Sequence, residues 1–358
     1  MARIPVVLLT GFLGSGKTTL LNRLLGASGM ARTAVVINEF GEIGIDHHLV
    51  SASHDGVVLL ENGCLCCQIR GDLEATFEDL YRRMSSDSAS SLDRVIIESS
   101  GLAEPGPVIQ LFLSQPALAA RYRVGSVVAT IDAVNAAHTL SRHRESVRQA
   151  ALADCLVITK LDLLAAPSEQ ATALLTEHLR SLNATARVIP VSDRRLELCS
   201  LLDDRGFDPR EGGDPRAWLN ADVYQHNHAD VHHDHSHSHE QTSDRAIESF
   251  CILRNDPMPR ATLELFLDAL AQNFGAKLLR VKGLVCVAEQ EGRPAVIQGA
   301  QQLIHTMSWL DRWPDADHRT RIVFITEGIG RETVEDMLTL IDRMAARTLS
   351  ARHRVPGI

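Results

Sequence analysis

Residues 11–18 form a phosphate-binding loop, and the residues on either side of it limit what the chain can fold into. An apolar run from Ile4 to Thr10 precedes the loop, and a helical pattern with leucines on one face follows it. Binding a phosphate chain requires this strand–loop–helix order, because glycines let backbone N–H groups surround the anion and the helix adds its positive end. The residues predicted to bind the phosphates are Gly11, Gly14, Ser15, Gly16, Lys17, Thr18 and Thr19.

Two residues of this segment, Lys17 and Thr18, are predicted to take part in catalysis as well as binding. A lysine at this position reaches the β- and γ-phosphates, and the hydroxyl of the next residue binds Mg²⁺. The alternative is a glycine-rich turn that contains a lysine by chance, and the flanking strand and helix disfavour it. We therefore expect the chain to bind a nucleoside triphosphate together with Mg²⁺.

The composition narrows the class of protein. A chain of 358 residues is long enough for two domains, and its mean hydropathy of −0.03 is typical of soluble globular proteins. No apolar run approaches the ~20 residues that cross a membrane, and we expect no signal peptide because the first strand begins at once. A formal charge of −9 argues against nucleic acid as a partner. The cysteines lack the spacing of a disulfide framework, which favours a reducing compartment, by default the cytoplasm.

Strand-like and helical patterns alternate from Arg3 to about Val191, and several strands are nearly continuous in Val and Ile. Such strands are buried on both faces, so the pattern predicts an α/β fold with a doubly wound, mostly parallel sheet. Ligands of such sheets bind at the carboxyl ends of the strands. We predict a nucleotide-binding domain over residues 1–202, a flexible linker over 203–245 that is rich in Gly, Pro, Asp and His, and a smaller α+β domain over 246–358.

A second acidic motif lies downstream of the loop. The hydrophobic run from Val95 to Ile97 ends in Glu98, and Gly101 follows three residues later. An acid at this place holds Mg²⁺ through water, and the glycine N–H contacts the γ-phosphate. A strand that ends in an acid is common by chance, but its distance from the loop favours the functional interpretation. Glu98 is thus predicted to be catalytic and Gly101 to bind nucleotide.

The segment Thr159-Lys160-Leu161-Asp162 follows another buried strand and predicts the base. In GTPases the aspartate of an Asn/Thr-Lys-x-Asp motif accepts two hydrogen bonds from guanine, and the lysine stem covers the ring. Adenine presents the wrong donor pattern, so Asp162 is predicted to discriminate against ATP. The alternative is an aspartate that only caps the next helix. A small-molecule kinase is disfavoured because this motif marks guanine.

Three cysteines within four residues, Cys64, Cys66 and Cys67, follow the third predicted strand. Thiolates favour Zn²⁺, Cu⁺ and related ions. Since one loop offers three ligands, a fourth has to come from elsewhere. The candidates are Glu39 and Glu42, within a predicted switch segment, or a ligand from a transferring partner. An incomplete site suits a carrier, whose ligands must exchange. The alternatives are buried inert cysteines and a redox thiol pair.

The predicted linker carries a second group of metal-binding side chains. Imidazoles on a mobile chain bind Zn²⁺, Ni²⁺, Co²⁺ and Cu²⁺ with little selectivity, so we interpret this tract as a metal buffer. The alternative is a solvated spacer. The histidines concerned are His226, His228, His232, His233, His235, His237 and His239.

In this order, the phosphate-binding loop, residues 38–42, the Gly63–Cys67 loop, the Glu98–Pro105 segment and the Thr159–Asp162 motif resemble the CobW-like family of metal-handling GTPases. The resemblance extends to residues 246–346, and the family is related to nickel-insertion GTPases. It implies GTP hydrolysis coupled to delivery of a metal, most often Zn²⁺, with Co²⁺ or Ni²⁺ in some subgroups. Some members carry a further acid where this chain has Ile37, so a site that needs that acid is absent here.

Two functions fit these motifs. The first is a GTPase metallochaperone with slow intrinsic turnover, because no catalytic glutamine or arginine finger is evident. Its partners would be GTP and GDP, a transition metal ion and a client metalloprotein, with no nucleic acid and no membrane; the sequence leaves homo-oligomerisation open. The second is a metal storage or sensing protein in which the nucleotide acts only as a structural switch.

Overall fold

The computed structural model describes residues 3–27, 30, 32–38, 57–62, 69–86, 92–164, 169–191, 213–224, 246–290, 292–304 and 307–352. Its first half alternates strands with helices, as the sequence predicts. The elements are β1 (Ile4–Gly11), α1 (Lys17–Leu25), β2 (Thr33–Asn38), β3 (Val57–Asn62), α2 (Ile69–Ser86), β4 (Arg94–Ser99), α3 (Pro105–Ser114), α4 (Pro116–Ala119), β5 (Tyr122–Asp132), α5 (Ala136–Arg142), α6 (Arg144–Leu152), β6 (Cys155–Thr159), α7 (Glu169–Leu182) and β7 (Arg187–Pro190).

In the described part of the chain, these strands form one seven-stranded sheet in the order β3-β2-β4-β1-β5-β6-β7. Every neighbouring pair is parallel. The chain therefore moves from the central β1 towards one edge and later towards the other, which confirms the doubly wound fold. The carboxyl ends of β1, β4, β5 and β6 all meet at one edge of this sheet.

Helix α1 is held to the sheet by its leucines. Leu20, Leu21, Leu24 and Leu25 recur on one face and are buried in a core cluster that also contains alternate residues of β1 and β2. Burying each such side chain contributes roughly 1.5–3 kcal/mol. This packing fixes the helix that starts directly after the phosphate-binding loop.

Three aromatic rings join α2, α3 and β5 in the same unit, and helix α6 packs nearby. Phe77 of α2 contacts both Phe112 of α3 and Tyr122 of β5, with ring centroids 4.8 and 4.9 Å apart, and the Tyr122 hydroxyl donates to the Phe77 carbonyl. Helix α6 packs against α3, β1 and β5. It therefore lies beside the strands that carry the loop.

The described residues from Asp214 onwards form a second unit. Its sheet is antiparallel, with described strands in the order β11-β10-β9-β13-β8 and β12 paired to β10, which confirms a separate α+β domain. Two helices cover one face of it. The elements are α8 (Pro215–Leu219), β8 (Ile247–Arg254), α9 (Arg260–Phe274), β9 (Leu278–Val285), β10 (Ala295–Ala300), β11 (Leu303–Ile304), β12 (Ser308–Trp309), β13 (Thr320–Glu327) and α10 (Arg331–Arg352).

The structure differs from the predicted linker at residues 214–224, which are an ordered part of this second unit. Asp214 caps α8 by accepting from the N–H groups of residues 216 and 217, and Pro215 follows it. Trp218 is buried, and its carbonyl accepts a 3.2 Å hydrogen bond from Lys282 of β9. Asp214-Pro215 is a helix-start signal and Trp218-Leu219 supplies the buried face. These signals are hard to recognise in the sequence because the residues around them are mostly polar. No helix in the described ranges is long and apolar enough to cross a membrane.

Candidate nucleotide site

The backbone of the loop has conformations that only glycine adopts readily. Gly11, Gly14 and Gly16 have φ angles of 140°, 69° and 92°. Space is the second constraint at Gly11, where a Cβ atom would lie 2.3 Å from the Thr130 hydroxyl oxygen. The loop therefore curls tightly over the end of β5 before α1 begins, which presents the start of that helix to an anion.

Lys17 reaches back across this loop. Its Nζ donates to the carbonyl oxygens of Gly11 at 2.9 Å and Phe12 at 3.1 Å. These bonds hold the ammonium group against the backbone of the loop. A positive charge fixed there faces the region in which phosphates bind in phosphate-loop proteins.

Thr18 and Glu98 are brought into direct contact. The Thr18 hydroxyl donates to Glu98 Oε1 at 2.7 Å, and Glu98 is only 6% exposed. A hydroxyl oxygen and a carboxylate oxygen are the donors that Mg²⁺ prefers. The residues present therefore fit the ion that the sequence implies, with Thr18 and Glu98 as the pair that would hold it.

A set of buried hydroxyls fastens the loop to neighbouring strands. Ser15 Oγ and Thr130 Oγ1 lie 2.6 Å apart, and Ser99 donates to the Thr10 hydroxyl at 3.0 Å. Thr159 donates to the Ser15 carbonyl at 2.7 Å. The sequence predicts that Thr159 binds nucleotide, and its side chain also ties the loop to the end of β6.

Lys160 of the predicted base motif binds an acid, Asp132, that the sequence motifs do not predict. Lys160, in a left-handed conformation with φ of 57°, donates to Asp132 Oδ2 at 2.8 Å. Burial raises the pKa of Asp132, but hydrogen bonds from Lys160, Asn135 and Val134 outweigh it and lower the pKa overall. Asp162 lies exposed in the 3₁₀ turn Leu161–Leu163. Asp132 is the last residue of β5, and an acid at the end of a buried strand is the sequence signal that could have identified it.

Gly101 packs against the backbone of the loop. A Cβ atom on Gly101 would lie 2.7 Å from the Leu13 nitrogen and 2.8 Å from its Cα. This close approach requires glycine. The segment after β4 is thereby pressed against the phosphate-binding loop, next to Glu98.

Two side chains of α6 bind residues 101–104, and the sequence motifs predict neither of them. Gln149 Nε2 donates to the carbonyls of Gly101 and Ala103, both at 3.0 Å. Arg148 Nη1 donates to both carboxylate oxygens of Glu104, at 2.8 and 2.7 Å. Both side chains are buried on α6, whose sequence is polar. The sequence gives no other signal that would have identified them.

A cavity of about 270 Å³ opens beside the loop. Phe12 and His143 form part of its wall, with ring centroids 4.4 Å apart, and Asp132 and His138 line it as well. His143 directly precedes α6, so this helix borders the loop at its start and the Gly101 segment further along.

The predicted transition-metal ligands fall outside the described residues: Glu39, Glu42, Cys64, Cys66, Cys67 and all seven histidines of the tract. Among the residues that are described, no group of three or more His, Cys, Asp or Glu side chains could hold a metal ion. Ile37, at the end of β2, is buried within the apolar core cluster. Its surroundings suit an aliphatic side chain.

The class of protein follows from the fold and the site together. Phosphate-loop nucleotide hydrolases have a doubly wound parallel sheet with this loop, a hydroxyl–carboxylate pair such as Thr18 and Glu98, and a base motif at the same edge. The model of the CobW/HypB/UreG nucleotide-binding domain matches residues 5–190, and that of the cobalamin synthesis protein cobW C-terminal domain matches residues 247–340. The chain belongs to the CobW/HypB/UreG family and is a GTPase.

Relatives match along nearly the whole chain. It is 32% identical to the zinc chaperone YjiA of Escherichia coli over 91% of this chain and 94% of that protein. It is 29% identical to the zinc chaperone CobW of Pseudomonas aeruginosa, with 94% and 91% covered. Among solved structures, a Zn(II)-bound triple mutant of the YjiA GTPase superposes with a TM-score of 0.70 at 28% identity, covering 95% of this chain and 99% of that one.

Proposed function

We propose that this protein is a GTP-hydrolysing metallochaperone that binds Zn²⁺ at Cys64, Cys66 and Cys67 and transfers it to a client protein. The observation that carries the proposal is the register of the sheet. Ile37 of β2 pairs with both Glu98 of β4 and Glu61 of β3, so these three positions lie at one level. The chain enters the cysteine loop within a few residues of that level.

The register also gives the spacing between β4, which carries Glu98, and β3, which precedes the cysteines in the sequence. Adjacent strands are about 4.8 Å apart, so β3 runs roughly 10 Å from β4 along the edge of the sheet. A rearrangement at Glu98 or Gly101 on loss of the γ-phosphate is close enough to move the start of the cysteine loop. Nucleotide state would then alter the geometry of the metal ligands.

The phosphate end of the site has the groups that hydrolysis needs. Lys17 balances charge on the β- and γ-phosphates, and the glycine N–H groups of the loop bind them. Thr18 and Glu98 would hold Mg²⁺, which neutralises charge that develops on the phosphates. Gly101 would donate its N–H to the γ-phosphate. These are the roles that the sequence predicts for the same residues. The hydrogen bonds of Thr18 to Glu98 and of Lys17 to Gly11 support them.

The base end supports guanine. Asp132 at the end of β5 binds the Lys160 ammonium group, and Asp162, two residues later, is exposed. A carboxylate in that position accepts the two N–H donors of guanine and is left without them by adenine. GTP is therefore the proposed substrate.

Zinc is the proposed cargo because thiolates at short spacing suit it. The names of the YjiA and CobW relatives as zinc chaperones, at about 30% identity, point the same way. Co²⁺ and Ni²⁺ are the competing ions. The histidine tract, residues 226–239, would act as a second, weaker metal buffer.

The test compares two variants of the full chain that separate the two metal-binding regions. Cys66→Ala with Cys67→Ala should remove one tight Zn²⁺ site and any Zn²⁺-stimulated GTP turnover. Deletion of residues 225–240 should lower total Zn²⁺ capacity and leave both intact. Zinc stoichiometry by equilibrium dialysis and phosphate release provide the two measurements. If the deletion erases tight binding while the cysteine variant keeps it, the site is assigned wrongly; if turnover ignores Zn²⁺, the storage function is favoured.

A further inference from the structure

We propose that Gln149 and Arg148 of α6 are positioning residues for recognition of the γ-phosphate. They act by fixing the Gly101–Glu104 segment against the phosphate-binding loop. This inference rests on the proposed role of Gly101 as the γ-phosphate contact. Helix α6 contains none of the nucleotide-binding motifs of the sequence.

The amide of Gln149 is held in one orientation. It is 1% exposed, and its single Nε2 group donates to two carbonyls, those of Gly101 and Ala103. Turning the amide over would place Oε1 against both carbonyls, which is repulsive. A nitrogen with two N–H donors between two acceptors therefore sets the spacing of the two peptides. The conformation of Gly101, which as a glycine has the widest backbone freedom, is thereby restricted.

Arg148 fastens the other end of the segment. Its side chain is 7% exposed, and the Glu104 carboxylate that it binds is 29% exposed. A buried guanidinium needs a charged partner, since removing one member of such a pair leaves an uncompensated charge. Glu104 is the residue directly before α3, so the ion pair fixes where the segment ends and the helix starts.

The same segment is confined from the front by the loop. Gly101 has no room for a Cβ atom beside Leu13, and Leu102, between the two carbonyls that Gln149 holds, is 45% exposed. The segment is thus enclosed between α6 and the loop. If α6 released it, Gly101 could move away from the γ-phosphate while the loop, held by Thr130 and Thr159, stayed in place. Loss of Gln149 should therefore weaken GTP binding and leave GDP binding unchanged.

A buried amide that directly follows α7 and contacts the carboxyl end of α6 provides a matched control. Asn183 is fully buried, and its Nδ2 donates to the carbonyls of Ala150, Ala151 and Ala153, at 3.3, 2.9 and 2.8 Å. It precedes β7, so it lies at the amino edge of the sheet, opposite the nucleotide site. Replacing it removes more buried hydrogen bonds than replacing Gln149 does, without touching the Gly101 segment, so it is a stringent control for loss of stability.

The experiment measures the affinities of the full chain for GDP and for a non-hydrolysable GTP analogue, at a temperature well below unfolding. Gln149→Met should lower the ratio of analogue to GDP affinity about 5- to 10-fold, the scale of one or two hydrogen bonds. Asn183→Leu should lower the melting temperature and leave the ratio unchanged. An unchanged ratio in Gln149→Met, or an equal shift in Asn183→Leu, would overturn the proposal.

A second variant keeps the test decisive if Gln149→Met does not fold. Glu104→Gln changes a partly exposed side chain by one atom and weakens only the ion pair, so a fall of the ratio of roughly 3-fold is expected. An unchanged ratio there overturns the proposal as well. Lys17→Ala separates this result from the parent assignment. If Lys17→Ala loses turnover while Gln149→Met and Glu104→Gln keep the wild-type ratio, only the positioning role fails; if Lys17→Ala retains turnover, the phosphate-loop assignment fails.

Discussion

The hydroxyl of Thr18 and the carboxylate of Glu98 form a 2.7 Å hydrogen bond between residues that lie 80 positions apart in the chain. The sheet produces this contact, because β1 and β4 are parallel neighbours and Leu9 pairs with Glu98. Thr18 follows β1 through the loop, and Glu98 lies near the end of β4. Two motifs that are separate in sequence thus become one oxygen-donor pair.

Removing either member of this pair should weaken Mg²⁺ binding. For Thr18→Ala and Glu98→Gln, we expect the Mg²⁺ concentration for half-maximal GTP turnover to rise about 10- to 100-fold, the usual cost of losing a metal-site partner. Ser181→Ala, which removes an exposed hydroxyl bonded to the His178 carbonyl on α7, is the control. Turnover measured against Mg²⁺ concentration checks this. Unaltered Mg²⁺ dependence in both site variants would show that another pair holds the ion.

Lys17→Ala should reduce GTP turnover by on the order of 10²–10³-fold and weaken nucleotide binding, because it removes a fixed charge that faces the phosphates. Lys277→Ala, at an exposed position in the second unit, removes the same charge elsewhere and should have no effect. Phosphate release under saturating GTP is the measurement. Turnover near the wild-type rate in Lys17→Ala is the outcome that contradicts the assignment.

Guanine selectivity should depend on Asp162. We expect GTP to be preferred over ATP by at least ~100-fold in the wild type and the preference to collapse in Asp162→Ala, since the carboxylate rejects adenine by being left unpaired. Glu177→Ala, which removes an exposed acid of α7, should keep the preference. Competition of ATP and GTP against a labelled guanine nucleotide decides the matter. Equal competition in the wild type would remove the guanine assignment.

The second unit offers a prediction on pH and stability. Hydrogen bonds from Arg319 lower the pKa of Asp317 to about 2, against the cost of its burial. Because the folded protein favours the carboxylate, its contribution is complete above about pH 4 and is lost as pH falls through about 2. Asp317→Asn should lower the free energy of unfolding by about 1 kcal/mol at pH 7, after allowance for solvent screening.

The effect of Asp317→Asn should shrink as the pH falls towards 2. Asp311→Asn is the matched control, because its ion pair with Arg293 is exposed and should contribute little at any pH. Urea unfolding of both variants at pH 7 and at low pH provides the comparison. A loss of stability that is the same at both pH values would show that the cause is packing and not the charge of Asp317.

The local motifs of the sequence predict much of the fold and one part of the site. The loop, Thr18 and Glu98 are predicted because each lies at a fixed distance from the end of an apolar strand. The alternation of strands and helices likewise predicts a parallel sheet, since a strand buried on both faces has few alternatives.

The remaining contacts depend on which strands become neighbours, which local patterns do not encode. Thr130 meets Ser15 across 115 positions, and Gln149 meets Gly101 across 48. Thr159 is predicted to bind nucleotide from its motif alone, but its hydrogen bond to the Ser15 carbonyl could not be predicted, because it depends on β6 and the loop sharing one edge of the sheet. Hydroxyl and amide side chains carry no periodicity that reveals such partners before the strand order is known.

The coupling between nucleotide and metal tests the proposed function most directly. The Zn²⁺ affinity of the full chain should be measured by competition with a chromophoric chelator, in the presence of a non-hydrolysable GTP analogue, of GDP and of no nucleotide. We predict that the analogue and GDP forms differ by about 5- to 150-fold, a coupling of about 1–3 kcal/mol, and that Zn²⁺ shifts the affinity for the analogue by the same factor. Identical Zn²⁺ affinities in all three states would contradict a nucleotide-driven metallochaperone.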